Sequence, residues 1–197
     1  MRSFAKAIVS AIARVVVLPA ACLAGFGRYH EAYVSFAQAL AFLPGRLGSH
    51  LRVAYYRFTL DRVGPDCEIS VGSYFAHAGA SIGPKVGIGA YCVLGYVDIG
   101  QGSLLGSGVQ VLSGVKQHSR DASGVLTDEG RSFRRISIGP HCWIGAGAII
   151  TADVGAKATI APGCVVLQEV PEGASLFGNP ARDFSVQSKL MIRKTEQ

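Results

Sequence analysis

Five histidines and five cysteines are the side chains of this 197-residue chain best suited to chemistry near neutral pH. Cys22, Cys67, Cys92, Cys142 and Cys164 show no Cys-x2-Cys spacing, so neither a zinc site nor a disulfide framework is indicated, and a reduced cytosolic compartment follows. His30, His50, His77, His118 and His141 contain no His-x4-His pair, and no metal is expected. No cysteine or serine is placed by the sequence as a nucleophile. An imidazole, whose ordinary pKa lies near neutrality, can serve as an acid or a base. His118 differs from the other histidines in its position. It closes the run Ser113-Gly-Val-Lys-Gln117-His118 and opens a stretch of roughly twenty residues, Gln117 to Ser137, that has no periodic pattern.

The remainder of the chain from residue 63 is periodic. An aliphatic or aromatic residue leads nearly every unit of six: Val63, Ile69, Phe75, Ile82, Ile88, Leu94, Ile99, Leu105 and Val111, then Ile138, Ile144, Ile150, Ile160 and Val166. The spacing becomes seven at Phe75–Ile82, five at Leu94–Ile99, and ten where twelve is due at Ile150–Ile160. A hexad repeat of this length marks a solenoid whose units bury their core only by stacking. Cys67, Cys92, Cys142 and Cys164 each follow a leading residue by four, the slot filled elsewhere by Ser103, Val109 and Ala148, which makes them small inward-facing residues.

The run Ile138-Gly-Pro-His-Cys-Trp143, the following Ile144-Gly-Ala-Gly-Ala-Ile149, and the ending Val170-Pro171 with Gly178-Asn-Pro-Ala-Arg182 resemble the hexapeptide-repeat acyltransferases, in the branch of galactoside, xenobiotic and surface-polysaccharide O-acetyltransferases. The resemblance covers residues 63 to about 183. It implies a left-handed parallel β-helix of about five coils, assembled as a homotrimer with active sites between subunits. It implies acetyl-CoA as acyl donor and, at the mouth of the looped-out coil, His118 as general base; relatives often carry Asn just before that histidine, where this chain has Gln117. The family's coenzyme A contacts fall on Ala146, Pro162, Leu167, Gln168 and Arg182, with Arg182 supplying charge for phosphate. The zinc carbonic anhydrase of the same fold needs three histidine ligands and a His-x4-His pair that this chain lacks. Asp121, Asp128 and Glu129 are the carboxylates nearest His118 in sequence, and none is assigned to orient it. His141 reads as a turn residue, His77 as a coil residue that could line the acceptor cleft, and Trp143 as packing against its neighbouring coil. Arg134 and Arg135 are either solvated or holders of an anionic acceptor.

Residues 1–62 lie outside the resemblance. They carry eight Lys and Arg against Glu31 and Asp61, whereas residues 63–197 hold eleven of each sign. A nucleic-acid binder would place its basic face on the folded domain, so nucleic acid is excluded as a partner. Residues 3–18 form an apolar helix with a narrow stripe of Lys6, Ser10 and Arg14, which Pro19 should kink or end. A second helix carries Glu31, Ser35 and Gln38. A third sets His50, Ala54, Arg57 and Asp61 on one face, with Arg46, Arg52 and Arg62 adding charge. Helices this apolar suit monotopic attachment to an anionic membrane surface. Burial against a partner subunit, a spanning helix and a cleaved signal peptide are the alternatives, and Arg14 and Lys6 weigh against the last two.

The expected organisation is an amphipathic helical region over 1–62, a β-helix over 63–183 with an insertion at 117–137, and a tail at 184–197. The expected activity is acetyl transfer to a hydroxyl of a saccharide or lipid-linked precursor, on the cytoplasmic face of the membrane. A transferase of longer acyl chains, from coenzyme A or an acyl carrier protein to a lipid or amino sugar, and a membrane-tethered scaffold are the rivals.

Overall fold

In the computed structural model, which describes residues 2–114, 118–127, 129 and 132–184 and their side chains from residue 7 onward, the hexads wind into a three-sided parallel solenoid. The first coil is β1 (Arg62–Val63), β2 (Glu68–Ile69) and β3 (Tyr74–Phe75), and the second is β4 (Ser81–Ile82), β5 (Gly87–Ile88) and β6 (Val93–Leu94). The third is β7 (Val97–Ile99), β8 (Leu104–Leu105) and β9 (Gln110–Val111), followed by a hairpin of β10 (Ser119–Arg120) and β11 (Leu126–Thr127) outside the solenoid. The fourth coil is β12 (Ile136–Ile138), β13 (Trp143–Ile144) and β14 (Ile149–Ile150). A bridge at Val154 with β15 (Thr159–Ile160) and β16 (Val165–Val166) makes the fifth. Part of a sixth follows, a bridge at Val170 and β17 (Ser175–Phe177), on which β18 (Arg182–Asp183) folds back antiparallel.

The leading residues stack directly over one another. The second side aligns Ile69, Ile88, Leu105, Ile144, Ile160 and Leu176, and the third aligns Phe75, Leu94, Val111, Ile150 and Val166. All of these are buried. The slot four residues after a lead faces inward and hands a hydrogen to the coil above: Cys92 Sγ lies 3.2 Å from the Gly106 carbonyl, Cys142 Sγ 3.1 Å from that of Gly155, and Ser103 Oγ donates to Gly139 at 2.8 Å. Burial pushes the Cys92 and Cys142 thiols up, so they serve as packing and hydrogen-bonding groups and not as nucleophiles.

Two vertices of the triangle are regular. At the first, Asp66, Lys85, His141 and Lys157 occupy the same left-handed turn position, with φ between 56 and 59°. His141 is a turn residue whose ring lies over Gly102 so closely that a Cβ there would come within 2.7 Å of Nδ1. The third vertex, between the third side of one coil and the first side of the next, is where every irregular spacing falls. The ten-residue interval from Ile150 to Ile160 resolves into four plus six, because Val154 supplies the missing lead. The insertion leaves and re-enters at this same vertex. Its neck is closed by the Arg134 N–H donating to the Ser113 carbonyl at 2.8 Å, and residues 136 and 137, expected within the insertion, already belong to the fourth coil.

Three helices precede the solenoid: α1 (Arg2–Leu23), α2 (His30–Ala41) and α3 (Gly45–Thr59). Of the two outcomes expected at Pro19, a kink or an end, the end does not occur. The helix runs through it to Leu23, since the proline costs local backbone bonding while Val17, Ala21 and Ala24 on either side remain buried in the common core. The second correction concerns Arg52, expected to add surface charge and instead 1% exposed. Its Nη1 donates to the carbonyls of Leu40 (2.9 Å) and Leu43 (2.7 Å) at the end of α2, and its Nε donates to Ile69 in the first coil at 3.0 Å. Nearby, Tyr33 Oη donates to the Phe75 carbonyl at 3.0 Å, and the Phe75 N–H donates to Tyr56 Oη at 3.0 Å. Helices and solenoid share one continuous core.

Replacing Arg52 with Met keeps the side-chain length but strips three carbonyls of their donor inside the protein. We expect a loss of about 3 kcal/mol, read from urea unfolding as a lower midpoint at unchanged slope.

Candidate active site

His118 is exposed and stands at the root of the β10–β11 hairpin, on the outgoing limb of the insertion. The hairpin owes its shape to Asp121, whose Oδ1 accepts the Ser123 N–H (2.9 Å), the Ser123 hydroxyl (2.6 Å) and the Val125 N–H (3.0 Å), while Gly124 takes φ 84°. The Ser123 hydroxyl, followed by the backbone donors, holds the Asp121 carboxyl below the usual range. Asp121 is therefore the organiser of the hairpin tip. Glu129 accepts the Ser119 hydroxyl on its backbone carbonyl. Gln117, Asp128 and the tail beyond residue 184 lie outside the described residues.

The returning limb is anchored by two arginines. Arg134 pairs with Asp153 on the third vertex of the fourth coil, and the other oxygen of Asp153 accepts the Ser137 N–H at 2.9 Å. Arg135 spans the vertex along the prism axis. Its Nη2 reaches Asp61 Oδ2 at 2.7 Å, Tyr96 Oη at 2.9 Å and the Gly79 carbonyl, its Nη1 lies 3.3 Å from both oxygens of Asp98, and its guanidinium sits 4.4 Å above the Tyr96 ring. The anion-holding alternative for these arginines gives way to carboxylates of the chain itself. Asp61, Tyr96, Asp98 and Arg135 are separated by up to 74 residues in sequence. Only the coil register, which places all four at the third vertex, could have signalled them.

The family's cofactor positions divide between two vertices. Leu167 and Gln168 lie exposed on the third vertex of the fifth coil, two coils from the root of the insertion, or about 10 Å along the axis. Together with Arg182 they line a cavity of about 470 Å³ between that vertex and the terminal hairpin. Ala146 and Pro162 stand on the second vertex in consecutive coils, stacked so that the Gly163 N–H donates to the Ala146 carbonyl at 2.9 Å. Gly145 must lack a side chain there, because a Cβ would lie 2.4 Å from Pro162 N. One prism thus gathers Leu167, Gln168 and Arg182, and keeps Ala146 and Pro162 apart from them. Trp143 projects outward from β13, half exposed, between Leu104 and Thr159. Among the described residues, no group of three or more His, Cys, Asp or Glu side chains could hold a metal ion.

The arginine anchors yield a prediction about the loop. Arg135→Ala should raise the rate of limited proteolysis between residues 118 and 129 about tenfold, with Arg135→Lys intermediate. Equal cleavage of all three proteins would show that the guanidinium does not hold the limb.

No family model matches the chain. Nodulation protein L of Rhizobium meliloti (strain 1021) is 34% identical over 134 residues, 65% of this chain and 72% of that protein. Serine acetyltransferase 2 of Arabidopsis thaliana is 33% identical over 109 residues, and the match spans 53% of this chain but only 32% of the relative. Among solved structures, a maltose O-acetyltransferase from Clostridium difficile 630 superposes with a TM-score of 0.65 at 23% identity, over 78% of this chain and 84% of that one. The N-acyltransferase AntD from Bacillus cereus, in complex with dTDP and 3-hydroxybutyryl-CoA, superposes at 0.53 and 14% identity, over 68% and 80%. These two likenesses concern the fold, the left-handed parallel β-helix. The nodulation protein match, over most of that relative's length, establishes descent: the chain belongs to the hexapeptide-repeat acetyltransferase family.

Proposed function

We propose that the protein transfers an acetyl group from acetyl-CoA to a hydroxyl of a saccharide or lipid-linked sugar precursor, with His118 as general base. The observation that carries this reading is the placing of a histidine on the one long break in an otherwise continuous solenoid, in a chain of acetyltransferase descent. The acceptor's O–H proton passes to an imidazole nitrogen of His118 as its oxygen attacks the thioester carbonyl. Collapse of the tetrahedral species expels the coenzyme A thiolate, which regains a proton from the imidazolium. No covalent enzyme intermediate is required, in keeping with Cys92 and Cys142 thiols that are buried and held up in pKa. Leu167 and Gln168 would flank the donor, and the exposed Arg182 would meet a phosphate. Ala146 and Pro162 stand on a different vertex of the prism, an arrangement that suits a homotrimer in which one protomer's second vertex faces the next protomer's insertion.

We expect His118→Ala to lower acetyl transfer from acetyl-CoA to glycoside acceptors by about 10²–10⁴-fold, followed by release of free thiol, with the melting temperature unchanged. Wild type and variant both at background would favour a scaffold instead.

The same reading places the enzyme on the cytoplasmic face of a membrane. Among the described residues no helix is long and apolar enough to cross a bilayer. Instead α1 is oriented inside out. Its small residues Ala13, Val17 and Ala21 pack inward, and Ser10 of the polar stripe meets Arg57 Nη1 at 3.5 Å. Ile12, Val15 and Val16 point outward, 58, 72 and 59% exposed. A large apolar face turned to solvent demands cover, and the basic excess of residues 1–62 favours an anionic lipid surface. The wild-type chain should float with phosphatidylglycerol vesicles through a high-salt wash, and Ile12→Lys with Val15→Lys should stay behind. Complete release of wild type by salt would refute interfacial insertion.

A further inference from the structure

Four aromatic rings climb the third vertex beside the insertion, and the chemistry above uses none of them. His30 opens α2 and stacks on His77, centroids 5.9 Å apart and planes at 26°. His77, in the third-vertex turn of the first coil, meets Phe133 of the insertion's returning limb at 5.1 Å and Tyr96 of the second coil at 6.2 Å. Helical cap, two coils and catalytic loop thus each contribute a ring. Phe133 is 46% exposed and His30 is exposed, so the outer faces of the cluster reach solvent while His77 and Tyr96 back them.

The cluster's polarity narrows what it could hold. Arg135, which lies over the Tyr96 ring, is committed to Asp61 and Asp98. Burial first, and then the proximity of His30, hold the His77 imidazole below its usual range. At neutral pH the ring is uncharged and offers one donor and one acceptor. Flat apolar faces beside neutral hydrogen-bonding nitrogens match a pyranose ring, which has apolar C–H faces and a rim of hydroxyls.

We infer that His30, His77 and Phe133 form a stacking subsite for the sugar ring of the acceptor, with Phe133 contributed by the returning limb of the insertion that carries His118 on its outgoing limb. The inference rests on the acetyl-transfer reading for its catalytic consequence but not for binding. It also makes the helical region part of the acceptor site through His30, in addition to whatever surface α1 engages.

The test uses the full-length protein, acetyl-CoA and a panel of p-nitrophenyl glycosides. Phe133→Ala should raise the glycoside KM about tenfold, the equivalent of one lost aromatic contact, and Phe133→Tyr should restore it. His30→Ala, on an exposed helix start, should raise it about threefold, and acetyl-CoA KM should not move in any variant. Glycoside KM values unchanged in both alanine variants would overturn the subsite, as would a shift in acetyl-CoA KM alone, which would mean that the rings serve the adenine. Binding is read separately, from the His30 and His77 imidazole resonances on adding glycoside without donor. Perturbation in wild type, lost in Phe133→Ala, supports the subsite even if no glycoside is acetylated, an outcome that would sink the transferase reading alone. Resonances unmoved by every glycoside would overturn the subsite whatever the kinetics.

Discussion

A solenoid coil completes its backbone hydrogen bonds through the coils on either side, so the first coil faces a gap in which N–H and C=O groups have no coil to meet. In this protein that gap is filled by side chains of the helical region. The outward pair at Ile69 is met by Ser49 Oγ, which accepts the N–H at 3.2 Å, and by Arg52 Nε, which donates to the carbonyl. The pair at Phe75 is met by the hydroxyls of Tyr56 and Tyr33. An uncapped edge invites pairing with another chain, whereas four polar side chains matched to four backbone groups close it. The helices are a structural necessity of the solenoid before they are anything else. Arg52 does two tasks at once, capping α2 and sealing the coil edge, which is why a guanidinium is tolerated at full burial.

The same stacking explains where chemistry can be housed. At the two regular vertices successive coils approach so closely that the residue after the lead is held to glycine at Gly139, where a Cβ would stand 2.5 Å from Ala156 N. Such turns leave little room for long side chains to converge. At the third vertex the count between leads is seven, five, four or four, or expands into the insertion. There the side chains come together: Arg134 with Asp153, Arg135 with Asp61, Asp98 and Tyr96, and the rings of His77 and Phe133. Variable spacing at one vertex lets the prism keep its core and still carry a differentiated edge.

This division governs what could be read from the sequence. The leading positions, the inward cysteines and the turn position of His141 follow a fixed period and were legible, because each depends only on neighbours six residues away. The break after Ser113 was legible for the same reason, as a loss of phase. Arg52, Arg134 and Arg135 were not: each is defined by partners in other coils or helices, at separations where no local pattern survives. Ser10 and Arg14 of the polar stripe part company in the fold: Ser10 meets Arg57 of α3, whereas Arg14 is exposed. Amphipathicity identifies two faces of a helix and leaves open which is the inner one. In α1 the outer face is that of Ile12, Val15 and Val16, and the inner one that of Ala13, Val17 and Ala21.

The helical region and the insertion are joined through an ion pair. Asp61 follows α3 directly and bonds Arg135, which neighbours the loop neck at Arg134. Any displacement of α3 against the first coil must therefore stretch the contact that anchors the returning limb, and the rings of His30 and His77 would separate along with it, since α2 and α3 share the Arg52 joint. The helical region is thus mechanically part of the third vertex. Packed on α3, α1 belongs to the same assembly that holds Phe133 and the returning limb of the insertion.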